Sequence, residues 1–269
     1  MVLTLAGCAW GGGTDSHGVL GTDARVRMDG GGGDTPRDMT GATVHLLLTE
    51  VALRDIGGEF IEIHNPTAAA VALDNYYLAD IGNYWTLPAA APNVAGSDFV
   101  VKFPAGAMIA PGAVVTIATG TAASFMTTYG SAPTYSVTDG TITAVAVGIG
   151  PTLTDGGEIV VLFTWDGVAD LVKDVDIMLA GVPTMQNTLV SKSGQMQGTA
   201  TYATDAETIL AQAAAHGAGQ STKRIAAEGG NELHPGTGNG ITGDDETSEN
   251  TAMTWDATFT APTPGQIAF

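Results

Sequence analysis

The stretch "TEVALRDIGGEFIEIHNP", from Thr49 to Pro66, decides the fold. Two apolar runs, "VHLLLTEVAL" and "GEFIEIHN", flank Asp55-Ile56-Gly57-Gly58, and a Gly-Gly pair between β-rich runs is a hairpin signal. The acidic residues Glu50, Glu59 and Glu62 raise a second question, because paired carboxylates can carry out acid–base hydrolysis. Successive side chains of a strand point to opposite faces. Along Glu59-Phe60-Ile61-Glu62-Ile63, Glu59 therefore shares a face with Ile61 and Glu62 shares one with Phe60, so these two glutamates do not meet. The stretch reads as structure: a hairpin whose second strand ends at Asn65-Pro66, with Glu62 placed to accept from loop amides.

Downstream the same texture repeats. "VALDNYYLAD" at Val71 to Asp80, "YWTLP" at Tyr84 to Pro88 and "FVVKFPAGAMIAPGAVVTIATG" at Phe99 to Gly120 follow, the last with two strands joined through Pro104-Ala105-Gly106 and Ala110-Pro111-Gly112. "TAVAVGIG" and "LTDGGEIVVLFTWDGVADLVKDVDI" add two or three more, with Asp155-Gly156-Gly157 and Asp166-Gly167 as turns. At least about seven short strands at this spacing imply an all-β sandwich or barrel. Residues 180–218 differ: "TDAETILAQAAAHGAG" has the composition and the capping residues of one short helix, an insertion beside the sheet. The tail returns to turns, with "GTGNGITGDDETSEN" as an acidic loop and "TWDATFTAPTPGQ" as a closing strand and Pro-Gly turn.

Upstream of Val44 there is no apolar periodicity. Residues 9–43 are rich in Gly and Asp and read as a disordered tether, about 30 Å from end to end as a flexible coil. Before it, residues 1–8 end in Leu5-Ala6-Gly7-Cys8, which resembles the lipobox of bacterial lipoproteins. There the small residues fit the signal peptidase and the cysteine thiol takes a diacylglycerol. Such signals carry a basic region and a longer apolar stretch before the box. Only Met1 to Gly7 precede it here, so the signal is incomplete: a start site assigned too late would explain that, a chance match of four common residue types is the alternative, and the expectation is the remnant lipoprotein signal. With Cys8 acylated, one end of the tether would be held in a bilayer, and the protein would be lipid-anchored in the cell envelope at the outer membrane, or else secreted.

Composition narrows the function classes. Nine Lys and Arg against 28 Asp and Glu give a formal charge of -19, which repels nucleic acid and anionic headgroups. The expected contact with a membrane is therefore only through a lipid at Cys8. A single cysteine rules out an intramolecular disulfide and a cysteine-based zinc site. His17, His45, His64, His216 and His234 show no metal-ligand spacing, no Gly-x-Ser-x-Gly elbow occurs, and the Gly runs of the tether do not lie between a strand and a helix.

The order of motifs from Val44 to Gln266 resembles the lamin tail domain family in its bacterial form. "LLLTEVALRDIGGEFIEIHNP" is similar to that family's first hairpin, "VALDNYYLAD" to its second motif, and "FPAGAMIAPGAVVTIATG" to its Phe-Pro-x-Gly run. "LTDGGEIVV" resembles the segment before the penultimate strands. "STKRI" at Ser221 to Ile225 and the Pro-Thr-Pro-Gly end resemble the closing strand and terminus. Departures are His64, where an aromatic or Leu is usual, Tyr77, where Trp is common, and the long insertion. The resemblance implies an immunoglobulin-like β-sandwich over residues 44–269, without an active site, used for attachment or binding on exported bacterial proteins.

Two candidate sites remain. Asp244, Asp245, Glu246 and Glu249 offer hard oxygen ligands suited to calcium, the one cofactor the sequence suggests, although their spacing is not that of an EF-hand. Tyr76, Tyr84 and Trp85 could stack on sugar rings, while strand alternation sends some of these aromatics to the core. The expected function is a non-catalytic interaction or scaffolding module of the cell envelope, with a protein or a surface polysaccharide as partner. The alternatives are a calcium-stabilised adhesin or carbohydrate-binding module and, last, a hydrolase using a carboxylate pair.

Overall fold

The computed structural model describes residues 45–54, 58–182, 189–205, 212–226 and 236–267. The lipobox-like segment, the tether, the Asp55–Gly57 part of the first turn and residues 206–211 of the expected helix lie outside them.

Fourteen strands are described: β1 (Leu47–Ala52), β2 (Phe60–His64), β3 (Val71–Ala72), β4 (Tyr76–Ala79), β5 (Phe99–Lys102), β6 (Met108–Ile109), β7 (Val114–Ala118), β8 (Tyr135–Ser136), β9 (Thr143–Val147), β10 (Gly157–Thr164), β11 (Lys173–Gly181), β12 (Met196–Gln197), β13 (Ala200–Thr201) and β14 (Thr222–Lys223). Two α-helices join them, α1 (Ala122–Tyr129) and the single turn α2 (Thr251–Thr254). One sheet runs β14-β1-β2-β7-β8 and the other β11-β10-β4-β5-β9; β12–β13 and β3–β6 are short separate pairs. The expected all-β, immunoglobulin-like sandwich is what forms, and among the described residues an eight-residue helix, not expected from the sequence, lies at α1.

The opening hairpin pairs as expected, with Val51 opposite Ile61 and Ala52 opposite Phe60. A register shift between Leu48 and Glu50 breaks the alternation once. The shift lets Leu46, Leu48, Val51 and Leu53 all enter the core between the sheets, with Ile61 and Ile63. They meet Leu78, Phe99, Val101, Val160, Leu162 and Met178 of the second sheet. At the end of β2, the buried Asn65 donates to Ala69 O and Ile109 O and accepts from Thr67 N and its hydroxyl, which fastens the Asn-Pro turn.

The second sheet is buried on both faces. Its outer side carries Tyr77, Val161, Phe163, Ile177 and Leu179, covered by Tyr84, Leu87, Val190 and Tyr202. Double burial explains why "EIVVLF" and "VDIMLA" read as continuous apolar runs rather than alternating ones. On the outer side of the first sheet, α1 packs Phe125 and Tyr129 edge-on against Phe60. This helix starts where Thr121 accepts from Ser124 N and stops at Gly130, whose φ of 78° only glycine adopts without strain. Among the described residues no helix is long and apolar enough to cross a membrane.

Candidate functional site

Two acidic residues inside β11 organise the site. Asp174 and Asp176 are both buried, and strict alternation would put them on one face. Asp176 pairs with Leu162 and Asp174 with Phe163, so Val175 is an extra residue and the two carboxylates point to opposite sides of the sheet. Asp176 enters the inter-sheet core, where Arg224 Nη2 donates to both its oxygens at 2.6 and 2.7 Å and Leu48 N donates at 2.6 Å. Asp174 faces outward to the second cluster. There it accepts from the Tyr84 hydroxyl at 2.6 Å and from Lys192 Nζ at 2.5 Å.

Lys192 is wholly buried and also meets Asp205 Oδ2 at 2.6 Å. Asn239 Nδ2 donates to the same Asp205 oxygen at 2.5 Å and to Ala203 O, while its Oδ1 accepts from Ala203 N. Burial pushes the Asp174 carboxyl up from its ordinary value, opposed by the Lys192 charge. Burial also drives the Tyr84 hydroxyl well above its usual range.

Asn239 also lines a groove of about 610 Å³, whose walls are the turn before β11 (Asp170, Leu171), strand β13 (Ala200, Thr201) and the loop from Gly238 to Gly243. That loop runs beside β11, with Asp174 N donating to Asn239 O and Ile241 N to Asp174 O. A Cβ at Gly240 would meet Asp244 O and the Glu246 side chain, so the glycines let the loop lie this close. At the rim Asp170 accepts from the Thr199 hydroxyl and amide, and these bonds hold its carboxyl below the usual range. The volume falls within the ~300–1,000 Å³ of small-ligand sites, and the walls are mostly apolar and backbone.

The other buried carboxylates brace loops. Glu59 accepts from Leu153 N and the Thr119 hydroxyl, and Glu158 from Thr154 N and Ile159 N. Asp80 accepts from Phe99 N. Burial and the facing Glu158 raise the Asp80 carboxyl, and burial raises Glu158 as well. Glu59 and Glu62 do lie apart, as alternation requires. The closer pair is Glu50 with Glu62, opposite each other on β1 and β2. That pairing follows from hairpin register and is invisible to a single-strand argument.

The sequence candidates do not gather into one site. Asp245, Glu246 and Glu249 are buried: Asp245 accepts from the Thr247 hydroxyl and Glu249 from Arg224. Asp244 accepts from Gly236 N and the Thr242 hydroxyl. Among the described residues no group of three His, Cys, Asp or Glu is arranged to hold a metal. Tyr84 is fully buried with its hydroxyl on Asp174, so its ring faces the core rather than a sugar. Trp85 packs edge-on against Tyr202, and Tyr76 lies against the inter-sheet core on the other side of the sheet. The residues missed were Lys192, Asp174 and Asp205. Their available signal was charge inside an apolar strand, since "KDVDIML" needs a buried cation for each aspartate.

A family model described as Lamin Tail Domain matches residues 39–176, just over half of the chain. A solved structure of a DUF4876 family protein from Bacteroides thetaiotaomicron is similar at 16% identity, covering 79% of this chain and 70% of that one, with a TM-score of 0.39. No curated protein matches.

Proposed function

The chain belongs to the lamin tail domain family, and from that membership we propose that it is a non-catalytic binding module of the cell envelope, tethered through lipid on Cys8. It presents the groove between the start of β11, β13 and the Gly238–Gly243 loop to a protein segment or polysaccharide strand. One observation carries this reading: Glu50, Glu59, Glu62, Asp80, Glu158 and Asp176 each accept from backbone amides or structural side chains, while the groove offers backbone, apolar walls and the two rim charges Asp170 and Lys173. Such a wall holds a ligand without supplying a pair of groups to move protons.

The test is binding of the purified full chain to an array of envelope polysaccharides and peptides. Thr201→Trp, which fills the groove from an exposed position, is expected to abolish binding at unchanged melting temperature. Turnover of a hydrolase substrate that Glu62→Gln abolishes would overturn the reading.

A further inference from the structure

We propose that Lys192 and Asp205 join in an intramolecular amide bond, formed by the chain itself with Asp174 as the proton-transferring group. Lys192 Nζ is in contact with both carboxylates, at 2.5 and 2.6 Å, and its side chain is fully removed from solvent. The surroundings are dry and aromatic: Tyr84, Phe163 and Tyr202 belong to the same cluster, and the Lys192 nitrogen lies 5.9 Å from the centre of the Tyr84 ring.

The two aspartates are held differently, and the difference assigns their roles. Asp205 Oδ2 accepts from both Lys192 and Asn239, so negative charge developing on that oxygen under attack is already stabilised. Among the described residues Asp205 Oδ1 is buried without a hydrogen-bond partner, which is costly for an ion pair and suits the oxygen that leaves. Asp174 is fixed on its other oxygen by the Tyr84 hydroxyl, with Oδ2 turned to the lysine. That is the geometry of a base oriented by a third group.

The step balances without any external reagent. Burial pulls the Lys192 ammonium down, the charges of Asp174 and Asp205 outweigh it, and the group rests protonated. Asp174 takes one ammonium proton and passes it to Asp205 Oδ1, so that the free amine meets a neutral carboxylic acid. The amine attacks Cγ of Asp205, forming the C–N bond; Asp174 takes a second proton from the nitrogen and delivers it to the Oδ1 hydroxyl as the C–Oδ1 bond breaks and water leaves. Of the three ammonium protons one stays on the amide nitrogen and two leave in the water, and Asp174 ends as a carboxylate. Oriented groups in contact react as though one were present at ~10⁵ M or more. The product also replaces a buried ammonium and a buried carboxylate by a neutral amide, removing the desolvation cost of both. The bond closes residues 192–205 into a ring that carries the β12–β13 hairpin along one wall of the groove.

The test is intact-mass measurement of the folded full chain, followed by tandem mass spectrometry of its digest. The expected result is a mass lower by one water than the sequence requires, with a branched peptide joining Lys192 to Asp205. Lys192→Arg, which keeps the charge but cannot acylate, is expected to show the full mass, and Asp174→Asn to lose water far more slowly than the wild type. A folded wild-type chain of full mass overturns the proposal. So does a branch to any residue other than Asp205, or an Asp174→Asn chain that loses water as fast as the wild type.

Discussion

Glu50 and Glu62 stand opposite each other across β1 and β2, and each grips a different residue of the same C-terminal segment. Glu50 accepts from the amide and hydroxyl of Thr263, and Glu62 from the amide of Gly265 at 2.6 Å. Ser221 and Thr49 donate their hydroxyls to the same pair. The two acidic residues that frame the first strand pair thus clamp the Pro-Thr-Pro-Gly end to the outer face of the first sheet. Like charges directly opposite on a sheet repel. Lys223 Nζ, 3.9 Å from Glu50, offsets part of that.

Burial pushes the Glu62 carboxyl up to about 7, with the Glu50 charge adding to the rise and the bonds from Thr49 and Gly265 opposing it. The folded chain therefore holds this proton more tightly than the unfolded chain does. The resulting stability is complete below the ordinary carboxyl value of 4.5 and is lost as pH rises through about 7. Unfolding free energy measured in urea between those limits is expected to fall with pH, by at most ~1.4 kcal/mol per pH unit from this group. Glu62→Gln should flatten that slope; an unchanged slope refutes the assignment.

Arg224 is the cation of the inter-sheet core. It bonds Asp176 through Nη2, Glu249 through Nη1 at 3.2 Å and Leu48 O through Nε at 2.7 Å, with the Trp255 ring 5.2 Å away. Arg224→Met removes the cation from two buried carboxylates and is expected to cost about 3–5 kcal/mol. The readout is the urea midpoint. Replacing Lys223, whose ammonium lies 3.9 Å from Glu50 and donates to the Thr260 hydroxyl and Ala261 O, breaks one longer ion pair rather than two and should cost less.

Gly181 and Gly112 test backbone conformation against space. Both have left-handed φ, 72° and 69°. At Gly181 a Cβ would run into the Gly156 carbonyl and Gly157 Cα, whereas at Gly112 nothing among the described residues lies within 4 Å. Gly112→Ala is expected to cost about 1 kcal/mol and Gly181→Ala clearly more, roughly 2–4 kcal/mol, because the β10–β11 pair would have to part. Thermal melts of the two variants give the comparison.

For Cys8, incorporation of labelled fatty acid into the protein in its native cells is expected, together with membrane partition. Both should vanish in Cys8→Ser. A wild-type chain that stays unlabelled and out of the membrane fraction removes the tether from the proposal.

Much of the sandwich was legible. The hairpin around Gly58, the β4 and β5 strands and the paired "EIVVLF" and "VDIMLA" runs follow from local pattern, because burial on one or both faces imposes a period that short runs display. Helix α1 was not anticipated. "TAASFMTTYG" has no strong apolar periodicity, and only the Thr121 and Gly130 caps and the Phe125 contact with Phe60 settle it. The site was less legible still. Asp174 and Asp176 look equivalent in the sequence, and one extra residue in a strand, Val175, sends them to different cations.

By itself, then, the sequence determined the fold class, the family order of motifs and the strongly acidic charge balance, since these depend on composition and on spacing along one strand or turn. The tertiary structure alone decided which charges meet. Glu50 with Glu62, Arg224 with Asp176, and Lys192 with Asp174 and Asp205 are each brought together by register, a bulge or a returning loop, across separations of 12 to 48 residues. In a dry interior a charge is tolerated only beside its partner, so those meetings, rather than the residues taken singly, set what the buried groups can do.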